Sequence, residues 1–461
     1  MDSMDYRELM PGAEACVKHF VKITERDKVL IITDKPIIAE ALAKASNEAG
    51  AQVIVFYLPR VLRPIKQLSE ALKSVILEST VVFTPFDAME EEFSFRKDIV
   101  TLAGEGDGRR IAHMISVTPN MFSNQGMIAL NPREMGKMTK LTEKLAILLS
   151  AAKKIKIRSA SHEETDLCLD LGGWSHSGIV STGYIMKRSW GNLPSGEAFV
   201  IPKRGTASGT IVIDMGISGI PGSELPVTIG VNSGIIDCDS TKNGELLKKL
   251  LERYPGHDVR TVCEFGIGTN PKPSFTLATI EIEKILRTIH IAIGNNSIFG
   301  GDISASVPHT DMVISRPTVT IEDLQSTWTD IIEEGIIRED RIDTFFKVRY
   351  TVFPDKISGS ATVKIFPGVW VEDKEGMLYR CWKDHRGNEL RITVGDDDTA
   401  RKVKEVWSCI DPSRSQVVTE ILKNFNRKYR KDGKLAFQLL NTLEKFGVIE
   451  ISESSVQTTQ F

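Results

Sequence analysis

Residues 28–57 constrain the fold more than any other stretch. "KVLIITD" is a continuous β-branched and aliphatic run, "PIIAEALAKASNEAG" has the apolar spacing of one helix face and stops at Gly50, and "AQVIVFYL" is a second extended run. Strand, helix and strand at this spacing form a βαβ unit, in which the helix carries the chain back so that the two strands lie parallel. Shorter apolar runs, "STVVFTPF" and "QGMIALNP", alternate with helical stretches up to residue 153, which predicts an N-terminal α/β domain over 1–153. The glycines of "LAGEGDGRR" (Gly104, Gly106, Gly108) follow no strand and read as a loop rather than a phosphate cradle.

From "KKIKIRSA" the pattern changes. "GTIVIDMGISG", "PVTIGVNSGII" and "IEIEKILRTIHIAIG" alternate apolar and polar residues with a period of two, as half-buried strands do. "GELLKKLLERY" is the one amphipathic helix among them. The pattern predicts a strand-rich α+β domain over 154–352. The end of the chain changes again. Two short strand patterns, "WVEDKEGMLYRCWKD" and "NELRITVGD", precede three helical ones, and "VIEIS" closes as a strand after Gly447. A small winged-helix-like domain over 360–453 fits that order. The expected class is therefore α/β, with a βαβ-type layer, a strand-rich α+β domain and a C-terminal winged helix.

Composition narrows the functional classes. A net charge of −3 over 461 residues gives no global attraction to nucleic acid or anionic lipid. No apolar run approaches the roughly 20 residues that span a bilayer, and the acidic start "MDSMDYRELMPG" is unlike a secretory signal. Six cysteines stand far apart, which fits neither a disulfide framework nor a zinc finger. A reducing, cytoplasmic setting is expected.

The chemistry concentrates in 197–311. In "TIHIAIG" the odd positions Ile289, Ile291 and Ile293 take one side of a strand, and His290, Ala292 and Gly294 take the other. In "PHTDM", His309 and Asp311 share a side if the segment is extended. Glu197 lies in the Gly/Pro-rich bend "GNLPSGEAFVIP", and Glu264 lies among apolar neighbours in "VCEFGIGTNP". A carboxylate in such company is costly unless it is paired or metal-bound. Each residue alone fits a buried histidine or a turn. Together, two Glu, two His and one Asp form a mixed O/N donor set suited to Zn, Co, Mn or Fe(II).

These motifs, N-L-P-x-G-E-x-F-x-x-P, E-F-G-I-G-T-N, E-K-x-x-x-T-x-H-I-A-x-G-N-N and H-x-D, resemble in series the leucyl aminopeptidase family of the aminopeptidase T type over roughly 10–350. The resemblance implies that Glu197, Glu264, His290, His309 and Asp311 hold divalent metal, with a metallopeptidase-like hydrolase activity and a homodimer. It also makes Glu197 and Glu283 the catalytic candidates, with Lys284 and Arg287 as supporting residues. Gly196 stands where some members carry an acidic residue, Ile282 replaces the acid of a "DEK" motif, and Ser297 stands where some carry a tyrosine. A sister group on the same scaffold, the dihydroxypyridine ring-opening dioxygenases, holds one Fe(II) with two His and one carboxylate. His309 and Asp311 match it, and its other histidine falls at Glu264.

The C-terminal stretch "ELRITVGDDDTARKVKEVWSCIDPSRSQVVTEILKNF", continuing to about residue 451, resembles the winged-helix domains that bind leader peptides in ribosomal peptide biosynthesis. That implies a precursor peptide as partner, added to a sheet edge at "VWVEDKEGMLYR". The basic "RKYRKDGK" offers nucleic acid as a competing partner, but "GDDD" and other acids bring the module close to neutral. The expected function is a metal-dependent, peptidase-like hydrolase that processes a precursor peptide. The alternatives are a non-haem Fe(II) oxygenase on the same scaffold, or a non-catalytic peptide-binding partner in a biosynthetic complex.

Overall fold

The computed structural model describes residues 5–342, apart from 88, 105–108, 172–177, 186–188, 221–224, 239–241, 274–275, 277, 298, 305 and 323–325. Beyond these it describes the backbone of six short strands between 362 and 452. After α1 (Met10–Ala15), the βαβ pattern becomes β1 (Lys28–Thr33), α2 (Pro36–Glu48) and β2 (Gln52–Tyr57), with Pro36 at the first turn of the helix. α3 (Glu70–Glu78), β3 (Val81–Phe83), α4 (Phe93–Gly104) and β4 (Arg110–His113) repeat the alternation. Next come the single turn α5 (Pro119–Phe122) and the long α6 (Pro132–Ala151), which opens on an Asn131/Glu134 capping box with Pro132 behind it.

The strand-rich region is β5 (Lys154–Ser159), β6 (Asp166–Asp170), β7 (Ile179–Ser181), β8 (Ser189–Asn192), β9 (Glu197–Val200), β10 (Ser208–Ile213) and β11 (Gly216–Ile217). β12 (Val227–Asn232), β13 (Ile235–Cys238), α7 (Lys242–Leu251), β14 (Val262–Gly268), α8 (Thr279–Ile282) and β15 (Thr288–Gly294) follow. β16 (His309–Ser315), β17 (Pro317–Glu322), β18 (Trp328–Glu333) and β19 (Ile336–Ile337) complete it.

The elements up to β19 form three sheets. The first, ordered β2-β1-β3-β4-β8, is parallel throughout, as its helical crossovers require. Its fifth strand, β8, comes from beyond residue 153. The other two are antiparallel: β13-β12-β10-β6-β5-β17-β18-β19, and β11-β16-β15-β14-β9-β7. Leu145, Leu148 and Leu149 of α6, spaced for one helix face, share a core with Ile155, Ile157, Leu167 and Leu169 of the larger sheet. Phe265, Ile267, Ile289, Ile291 and Ile293 of the six-stranded sheet join that core. Each such buried side chain contributes about 1.5–3 kcal/mol, which lets the same strands carry charge on their other side.

Two segments differ from the expectation. "QGMIALNP" is not a strand: Gly126 packs onto the backbone of Asn120 and Met121, and the segment turns with Ile128 N–H bonded to the Met121 carbonyl. "IEIEKIL" alternates like a strand but forms α8 and a turn ending at Arg287, whose φ is +86°. Its alternating charges do not all face water, since Glu281 and Lys284 turn into the interior.

Of the strands expected near the C-terminus, Val369–Glu372 and Leu378–Lys383 pair as an antiparallel hairpin, with Val369–Glu372 at the edge of its sheet. The helices of the expected winged helix lie outside the described residues, as do Gly106 and Gly108. Among the described residues, no helix is long and apolar enough to cross a membrane.

Candidate metal centre

The side of the six-stranded sheet that faces away from the isoleucines carries the candidate chemistry. In register, Phe199, Gly266, His290 and Val313 form one row across β9, β14, β15 and β16. Glu264, Ala292 and Asp311 form the next row, Gly294 pairs with His309 beyond it, and Glu197 pairs with Gly268 on the other flank. Period-two geometry therefore puts all five donors on one face. An irregularity between Val262 and Glu264 lets Cys263 face the core while Glu264 faces the site.

Glycine makes the convergence possible. A Cβ at Gly266 would lie 2.1 Å from the His290 Cε1 and 2.2 Å from its Nε2, so the imidazole occupies the space that any other residue would fill. A Cβ at Gly268 would meet the Ile285 carbonyl at 2.1 Å, so only glycine lets the 284–285 turn close over β14.

The donors form two groups that share Glu264. Glu197, Glu264 and His290 offer atoms within 4.8 Å of one another, and so do Glu264, His309 and Asp311. The His290 Nε2 lies 3.1 Å from the Glu264 Oε1 and 3.8 Å from the Glu197 Oε2. The His309 Nε2 lies 3.1 Å from the Asp311 Oδ1 and 3.7 Å from the Glu264 Oε2. Behind His309, the Asn295 carbonyl accepts from Nδ1 at 2.7 Å. A carbonyl only accepts, so Nδ1 carries a proton, and Nε2 is the ring nitrogen turned toward the carboxylates. Metal-ligating histidines are commonly fixed in this way.

Lys284 is 1 % exposed and donates to the Glu197 Oε1 at 3.0 Å and to the Glu283 Oε1 at 2.6 Å. One ammonium thus pairs with two carboxylates, Glu197 and Glu283, while Glu264 and Asp311 face the imidazoles, and this crowding appears in the titration of the site. Burial alone would push the His290 imidazole down, but the hydrogen bond to Glu264 and the charges of Glu197 and Glu264 carry it up to about 9. His309 is likewise raised well above its ordinary value against burial, chiefly by Asp311. Burial would raise Asp311, but the His309 charge holds it well below the carboxylate range. Burial pushes the Glu283 carboxyl up to about 8 against the pull of Lys284.

The residues fit a divalent cation on three counts. Three of the five donors are carboxylates, the Nε2 of His309 faces two of them, and the Glu264 Oε2 is buried without a hydrogen-bond partner. Glu197, Glu264, His290, His309 and Asp311 all meet on this face. Glu283 stands behind them, bonded to Lys284, and Arg287 is exposed on the turn beyond. Sequence reasoning did not find Asn295, whose contribution is a backbone carbonyl, or the aromatic pair Phe199 and Phe299, which lies beside His309.

Residues 124–337, less than half of the chain, match the family described as NicX, 2,5-dihydroxypyridine 5,6-dioxygenase. Among solved structures, the chain is similar to 2,5-dihydroxypyridine dioxygenase from Pseudomonas putida KT2440, with 17 % identity and a TM-score of 0.56 over 73 % of this chain and 98 % of that one. It is also similar to AmpT from Thermus thermophilus, with 14 % identity and a TM-score of 0.53 over 72 % of this chain and 99 % of that one. At these identities the two structures establish the shared α/β scaffold. No curated protein matches the chain in sequence.

The dioxygenase match corrects the expectation of a peptidase-like aminopeptidase hydrolase, and with it the role in ribosomal peptide biosynthesis. The local structure gives physical reasons. Gly196, where some peptidases carry an acid, has φ +117°, and a Cβ there would lie 2.8 Å from both Asn270 and the Met138 sulfur. Ser297, where some carry a tyrosine, spends its hydroxyl on the Asn295 Oδ1 at 2.6 Å. Glu283, the other candidate base, is tied to Lys284.

Proposed function

We propose that the chain is a metal-dependent, non-haem Fe(II) oxygenase acting on a hydroxylated aromatic ring, with Glu264, His309 and Asp311 as the metal ligands. One observation carries the reading: the segment that matches the dihydroxypyridine dioxygenase family contains all three of these converging donors. Bound there, a ferrous ion would supply reactivity toward dioxygen and leave coordination positions open, as three-ligand facial sites do. This triad has two carboxylates and one imidazole, because Glu264 stands where the dioxygenase group has its other histidine.

The remaining residues position this set. His290 donates to the Glu264 Oε1, and the Asn295 carbonyl holds the His309 tautomer. Lys284 holds Glu197 beside His290, and Ala292 leaves the space opposite Asp311 free of a long side chain. We assign Glu197, His290 and Lys284 to fixing Glu264 and offsetting charge, and Glu283 to holding Lys284.

The test is oxygen uptake by protein loaded anaerobically with Fe(II) and then given 2,5-dihydroxypyridine. Labelled dioxygen should appear as two atoms in one ring-opened product, and His309→Ala should abolish uptake. No uptake with this compound or with related dihydroxylated rings would sink the assignment.

A further inference from the structure

Beside the metal donors stands an aromatic wall. Phe199 lies two residues after Glu197 on the same side of β9, and is 4 % exposed. Phe299, in the loop after β15, meets it edge-on with centroids 4.9 Å apart and ring planes at 76°. Phe299 also meets the His309 ring at 5.9 Å and 68°. It is only half-buried, so part of a large apolar ring stays open to solvent directly beside a candidate ligand.

The loop that carries Phe299 is pinned. Its N–H and that of Gly301 both donate to the Asn296 carbonyl at 3.0 Å, and the Asn296 Oδ1 accepts from the Ile303 N–H at 3.0 Å. Gly301 packs so closely that a Cβ would lie 2.0 Å from the Asn296 amide. A wall held in this way does not need to be ordered when a ligand arrives. Asn295, whose carbonyl fixes His309, also keeps its Nδ2 buried without a hydrogen-bond partner. Such a donor is costly to leave unused.

We propose that Phe299 determines specificity at this site, selecting a planar aromatic ring over a saturated ring of the same size by stacking it beside His309. Ring pairs gain from offset or edge-on contact beyond the area they bury, and a puckered saturated ring does not. The inference rests on the metal assignment above, but not on the reaction.

The experiment is direct binding to metal-loaded protein, without oxygen, of 2,5-dihydroxypyridine and of the corresponding dihydroxypiperidine. Wild type should prefer the aromatic ring by about five- to tenfold, the range expected for one aromatic contact. Phe299→Ala should reduce the preference to about twofold or less at unchanged metal content, and Phe299→Tyr should restore it. Equal binding of the two rings by wild type would overturn the proposal, as would a preference that survives Phe299→Ala. Loss of metal from Phe299→Ala would also overturn it, because the ring would then be a prop for His309. Phe299-dependent binding without oxygen uptake would uphold this inference while refuting the oxygenase reaction.

Discussion

Gly266→Ala tests the architecture of the centre at its tightest point. The new methyl would sit 2.1 Å from the His290 Cε1, whereas ordinary contact begins near 3.4 Å. The imidazole must therefore retreat by about 1.3 Å, which breaks its 3.1 Å bond to Glu264. Overpacking costs roughly 1–3 kcal/mol. The lost charge-assisted hydrogen bond adds about 1.5–3 kcal/mol. A chain of this size should lose roughly 2.5–6 °C in melting temperature. Metal should still bind at one equivalent, because Glu264, His309 and Asp311 are untouched, but about 10- to 100-fold more weakly, as when an outer partner of a ligand is lost. Melting scans, metal analysis and chelator competition read the three quantities. The double variant Gly266→Ala/His290→Ala should be more stable than the sum of the single changes by about 2.5–6 kcal/mol, since the clash needs both groups and the bond to Glu264 can be lost only once. Complete loss of metal from Gly266→Ala would make His290 a direct ligand. An unchanged melting temperature would mean that the imidazole does not lie over Gly266.

Lys284→Met should destabilise the protein by about 3–5 kcal/mol in denaturant titration, because it strands Glu197 and Glu283 as buried carboxylates. Adding Glu197→Gln to that variant should recover part of the loss, and no recovery would argue against a direct pair. Asp27 accepts from Arg110 and Thr80, and although burial opposes its ionisation these bonds hold its carboxyl below the usual range. Its contribution is full above the unfolded pKa and fades as pH falls through the lower folded value, so acid unfolding of Asp27→Asn should show a flatter pH dependence than wild type. His113 shifts in the same direction for another reason: burial pushes its imidazole down to about 4, against a hydrogen bond with Asn192. The unfolded chain then takes up a proton near pH 6.5 that the folded chain refuses. Stability should therefore fall by up to about 3 kcal/mol between pH 6.5 and 4, and His113→Gln should remove that slope.

The sheet face of the centre was legible because period two is geometry, not preference. Once "TIHIAIG" is a strand, Ile289, Ile291 and Ile293 must oppose His290, and burial of the isoleucines decides which side is core. Glu197 and Glu264 stood out for the same energetic reason, as carboxylates in apolar, glycine-rich surroundings. What stayed hidden depends on which strands become neighbours. β8 joins the parallel sheet through pairing with β4, some 80 residues away in sequence, and nothing local in "SWGN" announces it. "IEIEKIL" alternates convincingly, yet it turns, because Lys284 gains two carboxylates only by folding back over Gly268.

The same limit explains why the candidate donors could be named from the sequence while the expected reaction needed correction. Donor types follow from the side chains themselves, and a set of two Glu, two His and one Asp suits a divalent cation in either chemistry. The choice between hydrolysis and oxidation turns on what surrounds that cation: an acid excluded at Gly196 by its backbone and its neighbours, a hydroxyl spent at Ser297, an aromatic ring held against His309. Each of these is a relation between segments far apart in the chain. A motif records which residues are present, whereas the reaction depends on which atoms are left unengaged once the fold has used the others.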